Sequence, residues 1–177
     1  MAQRLMTDEP KAKVRLAKWA DRHTFFQMWR PLLEVQHSLG SIVLPTDHNL
    51  REFGQMFESY TVGSLFGLGV VAEVGDKPVG FLLVGEEIGG LNVETNVGRT
   101  GIVWGSWVDP AWRRRGISHQ MLTFGYRETY QMGFRCIMSS VLLDSKEANA
   151  NALNYPGVKA YATMIYNQLE DLPHERK

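Results

Sequence analysis

The segment Trp107–Ser118 carries the clearest indication of a chemical function in this chain. In it, a β-rich run passes directly into a helical pattern. The N–H groups of a first helical turn have no partner within the helix, and the helix dipole makes that end positive. Gly116 and Ser118 are small enough to let a phosphate approach the backbone, and three consecutive arginines precede them. The spacing therefore predicts a phosphate-binding turn. The alternative is a basic helix start that faces solvent.

The same segment resembles the signature of the GNAT superfamily of acyl-CoA N-acyltransferases. That signature runs valine, any residue, proline, two residues, arginine, and then a glycine-rich turn into a helix. The matching positions are Val108, Pro110, Arg113, Gly116 and Ile117. The predicted hairpin over residues 71–81 also looks like the second and third strands of the family, and the coarse element order agrees from about Val14 to Leu169.

This resemblance implies a site for acetyl-CoA. Its diphosphate is expected on the backbone amides from Arg114 to Ser118, and its pantetheine arm along the edge of the strand that ends at Val108. Asn149 or Asn151, in a short helix predicted over 144–152, would bond the pantetheine. The implied acetyl-CoA-binding residues are Trp107, Val108, Arg113, Arg114, Arg115, Gly116, Ile117, Ser118 and Asn149.

Two positions depart from the family pattern. Arg114 stands where the family often has glycine, and Ser118 replaces a final glycine or alanine. Serine is small enough to keep the phosphate contact. The bulk of Arg114 puts the geometry of the turn in question.

The family reaction is direct attack of a neutral amine on the thioester carbonyl, so an ammonium group of pKa about 10.4 must first lose a proton. Some members place a carboxylate at the start of the fourth strand, but residues 100–102 of this chain offer none. Glu73, on the neighbouring strand, is the predicted substitute, with Glu86 and Glu87 as alternatives. A structural role stays open for each carboxylate.

The other catalytic groups are a proton donor for the departing thiolate and a hydrogen-bond donor for the oxyanion. Tyr155 is the predicted proton donor and Tyr161 the alternative, although a packing role for Tyr155 is equally open. The oxyanion would accept from a backbone N–H of the splayed strand, which requires no particular side chain.

Apolar periodicity and turn residues predict the order β-α-α-β-β-β-α-β-α-β, a mixed α/β arrangement. The fold class is therefore a GNAT-like, mainly antiparallel sheet with splayed central strands, flanked by about four helices. The strands are predicted at 14–18, 70–74, 78–84, 102–108, 137–143 and 158–169. The helices are predicted from 21 or 24 to 35, from 46 or 47 to 60, from 116 to about 133, and over 144–152.

Composition limits the remaining classes. The chain has 177 residues, with 19 Lys+Arg balancing 19 Asp+Glu, so it is not a polycationic nucleic-acid binder. No apolar run approaches the roughly 20 residues of a membrane span. The charged N-terminus is unlike a signal peptide, and Cys136 is the single cysteine, which together favour a cytoplasmic protein. With no close His/Asp/Glu cluster, no metal site is expected.

The sequence thus predicts a single domain over 1–177 that transfers an acetyl group from acetyl-CoA to a primary amine. Residues 31–99 hold nine acidic and three basic side chains, which favours a cationic acceptor near Glu34, Asp47 or Glu52. The alternative is a catalytically silent binding or structural protein of the same fold. A homodimer through residues 161–169 is a further expectation.

Overall fold

A computed structural model describes residues 11–41, 43–61, 64, 66–86, 98–139 and 146. Three α-helices and five strands in these ranges confirm the mixed α/β class. The elements are β1 Lys13–Leu16, a 3₁₀ helix Trp19–Asp21, α1 Arg22–Ser38, α2 Asp47–Thr61, β2 Gly67–Val74, β3 Lys77–Gly85, β4 Thr100–Val108, a 3₁₀ helix Pro110–Trp112, α3 Ile117–Gln131 and β5 Cys136–Ser139.

The five strands form one sheet in the order β1-β2-β3-β4-β5. The first three pairings are antiparallel, and β4 pairs with β5 in parallel, with α3 as the crossover between them. The predicted hairpin is confirmed as β2 and β3, although its turn is shorter than predicted because Lys77 already pairs with Val74. Gly75, at φ +60°, supplies the left-handed conformation that this turn needs.

Helix starts follow the capping residues that the sequence offers. The Thr46 hydroxyl accepts from the Asn49 N–H at 3.3 Å and opens α2. Asp21 occupies the N-cap position of α1, but its carboxylate bonds elsewhere and does not cap the helix. The helix α1 continues to Ser38, past the predicted end at residue 35, with Pro31 inside it.

The two faces of the sheet each bury an apolar layer. One layer lies under α1 and α2 and is rich in aromatic side chains, which include Phe25, Trp29, Phe57, Tyr60, Phe81 and Trp107. The other lies under α3 and is mostly aliphatic, with Leu68, Val70, Ala72, Val74, Val79, Leu82, Val84, Ile117 and Met121. Because β2 and β3 are covered on both faces, they are apolar almost throughout.

The last described strand, β5, begins at Cys136, one residue before the predicted strand over 137–143, and Ser139 is its last described residue. Its central position in the sheet stays a prediction. The predicted helix over 144–152 and the predicted strand over 158–169 fall outside the described residues, apart from Lys146.

Candidate functional site

The turn between β4 and α3 is held by its own backbone and by Asp109. The Asp109 carboxylate accepts a hydrogen bond from the Ala111 N–H at 2.9 Å. The backbone N–H of Asp109 donates to the Val79 carbonyl at 2.9 Å. The N–H of Trp112 returns to the Asp109 carbonyl at 2.8 Å. These bonds tie the turn to β3, so the start of α3 is fixed relative to the sheet.

Two residues in this turn have left-handed backbone conformations. Gly116 is the N-cap of α3 at φ +75°, and having no side chain it cannot cap the first helical turn. Arg114 has φ +64° and is the one non-glycine residue with positive φ in the described ranges. The turn therefore forms although Arg114 replaces the glycine of the family pattern, at a cost of about 1 kcal/mol in backbone strain.

Replacing Arg114 by glycine is expected to raise the free energy of unfolding by about 0.5 kcal/mol, because relief of strain outweighs the extra chain entropy of glycine. Arg115→Gly is the matched control, since Arg115 has negative φ in the same turn. It should lower the free energy of unfolding by about 0.5–1 kcal/mol. Urea denaturation of both variants measures the difference, and an equal loss in both would contradict the account.

The arginines of the turn pack on tryptophan rings. The Arg113 guanidinium lies 4.5 Å from the Trp107 ring centroid, and its Nε–H donates to the Val108 carbonyl at 3.0 Å. The Arg115 guanidinium lies 4.8 Å from the Trp112 ring. Each guanidinium has five N–H donors, so Arg113 keeps donors for an anion after this bond. The structure thus brings Trp107, Val108 and Arg113–Ser118 together at one end of β4.

Strand β4 continues toward this turn past the last pair with β5 that the structure describes. Its pairing with β5 runs from Thr100 with Cys136 to Val103 with Ser139, and β4 continues to Val108 beyond that point. The register between β4 and β3 is irregular just past Val103. Val103 pairs with Val84 and Gly105 pairs with Leu83, so no residue of β3 lies opposite Trp104. Sequence patterns gave no signal for this bulge, since strand register cannot be read from one strand.

Glu73, the predicted base, lies on β2 and is engaged by a charged neighbour. Its carboxylate accepts from the Arg15 Nε–H at 3.0 Å, and the same guanidinium binds Asp21 through two bonds of 2.7 and 2.9 Å. Arg15 lowers the pKa of Asp21, and the Lys18 N–H adds to the effect. Strand β3 separates Glu73 from β4, so the structure does not bring Glu73 to the bulge.

Arg15→Met is expected to cost about 2 kcal/mol at pH 7, because two mostly buried carboxylates lose a charged donor. The lowered pKa of Asp21 in the folded state stabilises the protein above pH about 4, and that stabilisation is lost as pH falls through the folded value. The difference in the free energy of unfolding between the variant and wild type should therefore be smaller at acidic pH.

Denaturation at pH 7 and pH 3 measures this, with Arg22→Met as the control. Arg22 pairs with Glu58 at 3.2 Å, but both side chains are more exposed. Its loss should cost no more than about 0.5 kcal/mol. Equal losses in the two variants at pH 7 would show that the Arg15 contacts are not the stabilising ones.

Glu86, an alternative base, lies where β3 ends. Its carboxylate pairs with Arg99, and its backbone carbonyl accepts from the Tyr60 hydroxyl at 2.7 Å. Burial raises the pKa of Tyr60, and the nearby Glu86 carboxylate acts in the same direction, whereas the Trp104 indole opposes it. Tyr60 and Trp104 are thus neighbours beneath α2, a grouping that the sequence did not suggest.

The remaining predicted groups cannot be placed. Tyr155, Tyr161, Asn149, Asn151 and Glu87 fall outside the described residues. Within the described ranges, no group of three His, Cys, Asp or Glu side chains is positioned to hold a metal ion. The helices of those ranges are also too short or too polar to span a membrane.

A groove of about 550 Å³ lies between α1 and α2, and its lining includes Asp47, one of the residues near which a cationic acceptor was expected. The described residues that line it all belong to these helices: Phe26, Gln27, Arg30, Asp47, Leu50 and Arg51. Asp47, expected to attract a cationic acceptor, forms an ion pair with Arg30 in this groove. No described residue of β4 lines this groove.

Comparison with known families gives one match. A sequence model of the acetyltransferase (GNAT) family matches residues 19–155. No curated protein sequence matches the chain.

Solved structures share the fold at low identity. AAC(6')-Iy, in complex with the bisubstrate analogue CoA-S-monomethyl-acetylneamine, has a TM-score of 0.66 at 12% identity, over 89% of this chain and 98% of that one. A ribosomal-protein-alanine N-acetyltransferase from Brucella melitensis biovar Abortus 2308 has a TM-score of 0.64 at 12% identity, over 89% and 99%. The aminoglycoside antibiotic 6'-N-acetyltransferase AAC(6')-IG from Acinetobacter haemolyticus has a TM-score of 0.63 at 18% identity, over 88% and 97%.

Proposed function

Because the chain belongs to the GNAT family of acetyltransferases, we propose that it transfers the acetyl group of acetyl-CoA to a primary amine. The transfer occurs by direct attack within a ternary complex. The ammonium group first loses one proton to a base, which releases it to solvent. The amine nitrogen then forms a bond to the carbonyl carbon, the carbon–sulfur bond breaks, and the second proton lost by the nitrogen balances the one gained by the CoA thiolate.

The observation that carries this proposal is the turn at the end of β4. Gly116 has no side chain to cover the first turn of α3, Arg113 and Arg115 immediately precede it, and β4 ends at the same point. These features suit a diphosphate on the amides from Arg114 to Ser118 and a pantetheine arm along Trp107 and Val108. Complexes with CoA among the structural neighbours support the same donor.

The spacing of residues along β4 gives the distance from the turn at which we place the thioester. From Val108 back to Trp104 is four residues, or about 13 Å at 3.3 Å per residue. An arm running this distance along β4 from Val108 reaches the bulge at Trp104. A backbone N–H of the bulge would then stabilise the negative charge that develops on the carbonyl oxygen.

We also propose which groups transfer protons in the reaction. Tyr155 protonates the departing thiolate, and a carboxylate accepts the first proton of the ammonium group through water; Glu73 is the candidate from the sequence, but it lies on β2, one strand away from β4. Glu86 is the competing base, and the strand register favours it, since Gly85 pairs with Ile102, two residues from Trp104. A Glu86→Gln variant should lose the acid limb of the kcat/KM pH profile if Glu86 is the base, whereas Glu73→Gln should lose it if Glu73 is.

The alternative function is a silent binding protein that keeps the fold and CoA but not the chemistry. It is favoured by the ion pairs that engage both Glu73 and Glu86, because each carboxylate must leave or share its arginine to act as a base.

We further expect one domain over 1–177 in the cytoplasm, with a dimer through residues 161–169.

Calorimetry with CoA, followed by release of CoA thiol from acetyl-CoA with a panel of primary amines, separates these functions. The proposal predicts micromolar binding and amine-dependent thiol release. Arg113→Ala should weaken CoA binding at least about tenfold, equivalent to about 1.4 kcal/mol. Arg127→Ala, which removes an exposed arginine of α3 paired with Glu128, should not. Tight CoA binding without thiol release would favour the silent protein, and no CoA binding would reject both.

A further inference from the structure

Two arginines of the turn before α3 are held on opposite faces of the sheet. Arg113 contacts the ring of Trp107, which belongs to the buried layer under α1 and α2. Arg115 contacts the ring of Trp112, which packs against the layer under α3. The two guanidinium groups therefore lie on different sides of the turn, although one residue separates them in the sequence.

The two sides of the turn correspond to the two ends of a bound CoA diphosphate. Arg113 lies on the side of the proposed pantetheine arm, because it contacts the Trp107 ring and its Nε–H donates to the Val108 carbonyl at 3.0 Å. A diphosphate on the turn amides then has its pantetheine end toward Arg113 and its nucleoside end toward Arg115. The group of CoA that follows the diphosphate at the nucleoside end is the 3′-phosphorylated ribose.

The positive charge of this part of the chain exceeds that needed to balance a diphosphate. The segment from Pro110 to Arg127 holds four arginines and no Asp or Glu. The first turn of α3 has no acidic residue, although acidic side chains are favourable at that end of a helix. Arg127 pairs with Glu128, so three of the four arginines belong to the turn. The diphosphate of CoA carries one negative charge on each phosphate, whereas a 3′-phosphate adds about 1.5–2 more at pH 7.

We propose that the Arg115 guanidinium binds the 3′-phosphate of CoA, so that the donor site distinguishes CoA thioesters from those of 3′-dephospho-CoA. This inference rests on the proposed function and specifies its donor. A cation–π contact is not a hydrogen bond, so the contact with Trp112 does not itself use the N–H groups of Arg115. The ring also restrains the guanidinium, which lowers the side-chain entropy lost when it binds a phosphate. Arg115 determines donor specificity and takes no part in the chemical step.

Calorimetric titration of wild-type protein with CoA and with 3′-dephospho-CoA tests the proposal. The two ligands share the pantetheine, the diphosphate and the adenosine, so the ratio of their Kd values isolates the contribution of the 3′-phosphate. We expect Kd for 3′-dephospho-CoA to exceed that for CoA at least about tenfold, equivalent to about 1.4 kcal/mol.

Variants then assign the preference to one arginine. The ratio of the two Kd values should fall to about one or two in Arg115→Ala, because the charge-assisted hydrogen bonds to the 3′-phosphate are lost. Arg115→Lys keeps the charge and should retain more of the ratio than Arg115→Ala. Arg113→Ala is the matched control, since it removes the arginine on the opposite side of the turn. It should weaken both ligands by a similar factor and keep most of the ratio.

Equal Kd values for CoA and 3′-dephospho-CoA in the wild type would overturn the inference while the acetyltransferase function stands. A ratio that Arg115→Ala leaves unchanged, or that Arg113→Ala abolishes, would place the 3′-phosphate away from Arg115 and would also overturn it. No binding of either ligand to the wild type would reject the proposed function and this inference together.

Discussion

A Gly116→Val variant is expected to bind CoA at least about 100-fold more weakly than wild type, a loss of about 2.7 kcal/mol. Gly116 is the N-cap of α3 at φ +75°, a conformation that β-branched residues rarely adopt. Valine would either displace the turn or place two methyl groups beside the first-turn amides. Both outcomes remove the approach of a phosphate to the backbone.

Gly75→Val is the matched control for this loss. Gly75 has φ +60° in the β2–β3 turn and nothing within 4 Å of an added Cβ, and a Cβ on Gly116 is similarly uncrowded, with Gln120 at 3.9 Å. The two variants should therefore lose similar stability, about 1–2 kcal/mol each. Calorimetry should show CoA affinity lost at Gly116 alone. Equal affinities in the two variants would mean that the turn does not bind the diphosphate.

Trp29→Ala is expected to lower the free energy of unfolding by about 3–5 kcal/mol. Trp29 is 1% exposed, and its ring lies 4.6 Å from Phe25, 4.7 Å from Phe53 and 5.1 Å from Phe81 between centroids. The same ring covers Gly105, so its removal opens a cavity between α1 and β4. The aromatic layer beside the proposed site would lose its main support.

Trp19→Ala provides the comparison, because Trp19 is 49% exposed and contacts the Arg22 guanidinium at 5.1 Å. Its loss should cost no more than about 1 kcal/mol. Urea denaturation monitored by circular dichroism measures both variants. A loss at Trp29 no larger than that at Trp19 would contradict the assignment of α1 to the surface of β4.

Local patterns predicted the elements whose signals lie within a few residues. The hairpin around Gly75, the helix start at Thr46 and the buried face of α3 at Ile117 and Met121 were read from turn residues and spacing, and the structure confirms them. The turn before α3 was equally local, because it combines a strand end, a proline and a glycine within a few positions. Such features depend on backbone conformation more than on the rest of the fold.

Features that join distant parts of the chain were not predictable from one sequence. Arg15 meets Glu73 across 58 positions because β1 and β2 pair with Lys13 opposite Glu73. Glu73 therefore looked available as a base when its sequence neighbours alone were considered. The bulge at Trp104 depends in the same way on the register between β3 and β4, and no pattern within β4 encodes that register.

The net charge of the surface formed by residues 31–99 was also not predictable from one sequence, because it depends on ion pairs between distant residues. Counting charges along the sequence suggested a surface that attracts cations, but Arg15, Arg22 and Arg30 lie outside the segment and pair with acids inside it. These three arginines offset half of the acidic excess of six in this segment. The charge count of the segment therefore overstates the negative charge of the folded surface.

Backbone amide chemical shifts of ¹⁵N-labelled protein, titrated with CoA and separately with pantetheine, test the central claim most directly. The account predicts that CoA causes its largest shifts at the amides from Arg114 to Ser118, with smaller shifts at Trp107 and Val108. Pantetheine lacks the diphosphate and should leave the turn amides unchanged. Large CoA-induced shifts elsewhere, with residues 114–118 unaffected, would contradict the assignment of this turn as the acetyl-CoA site.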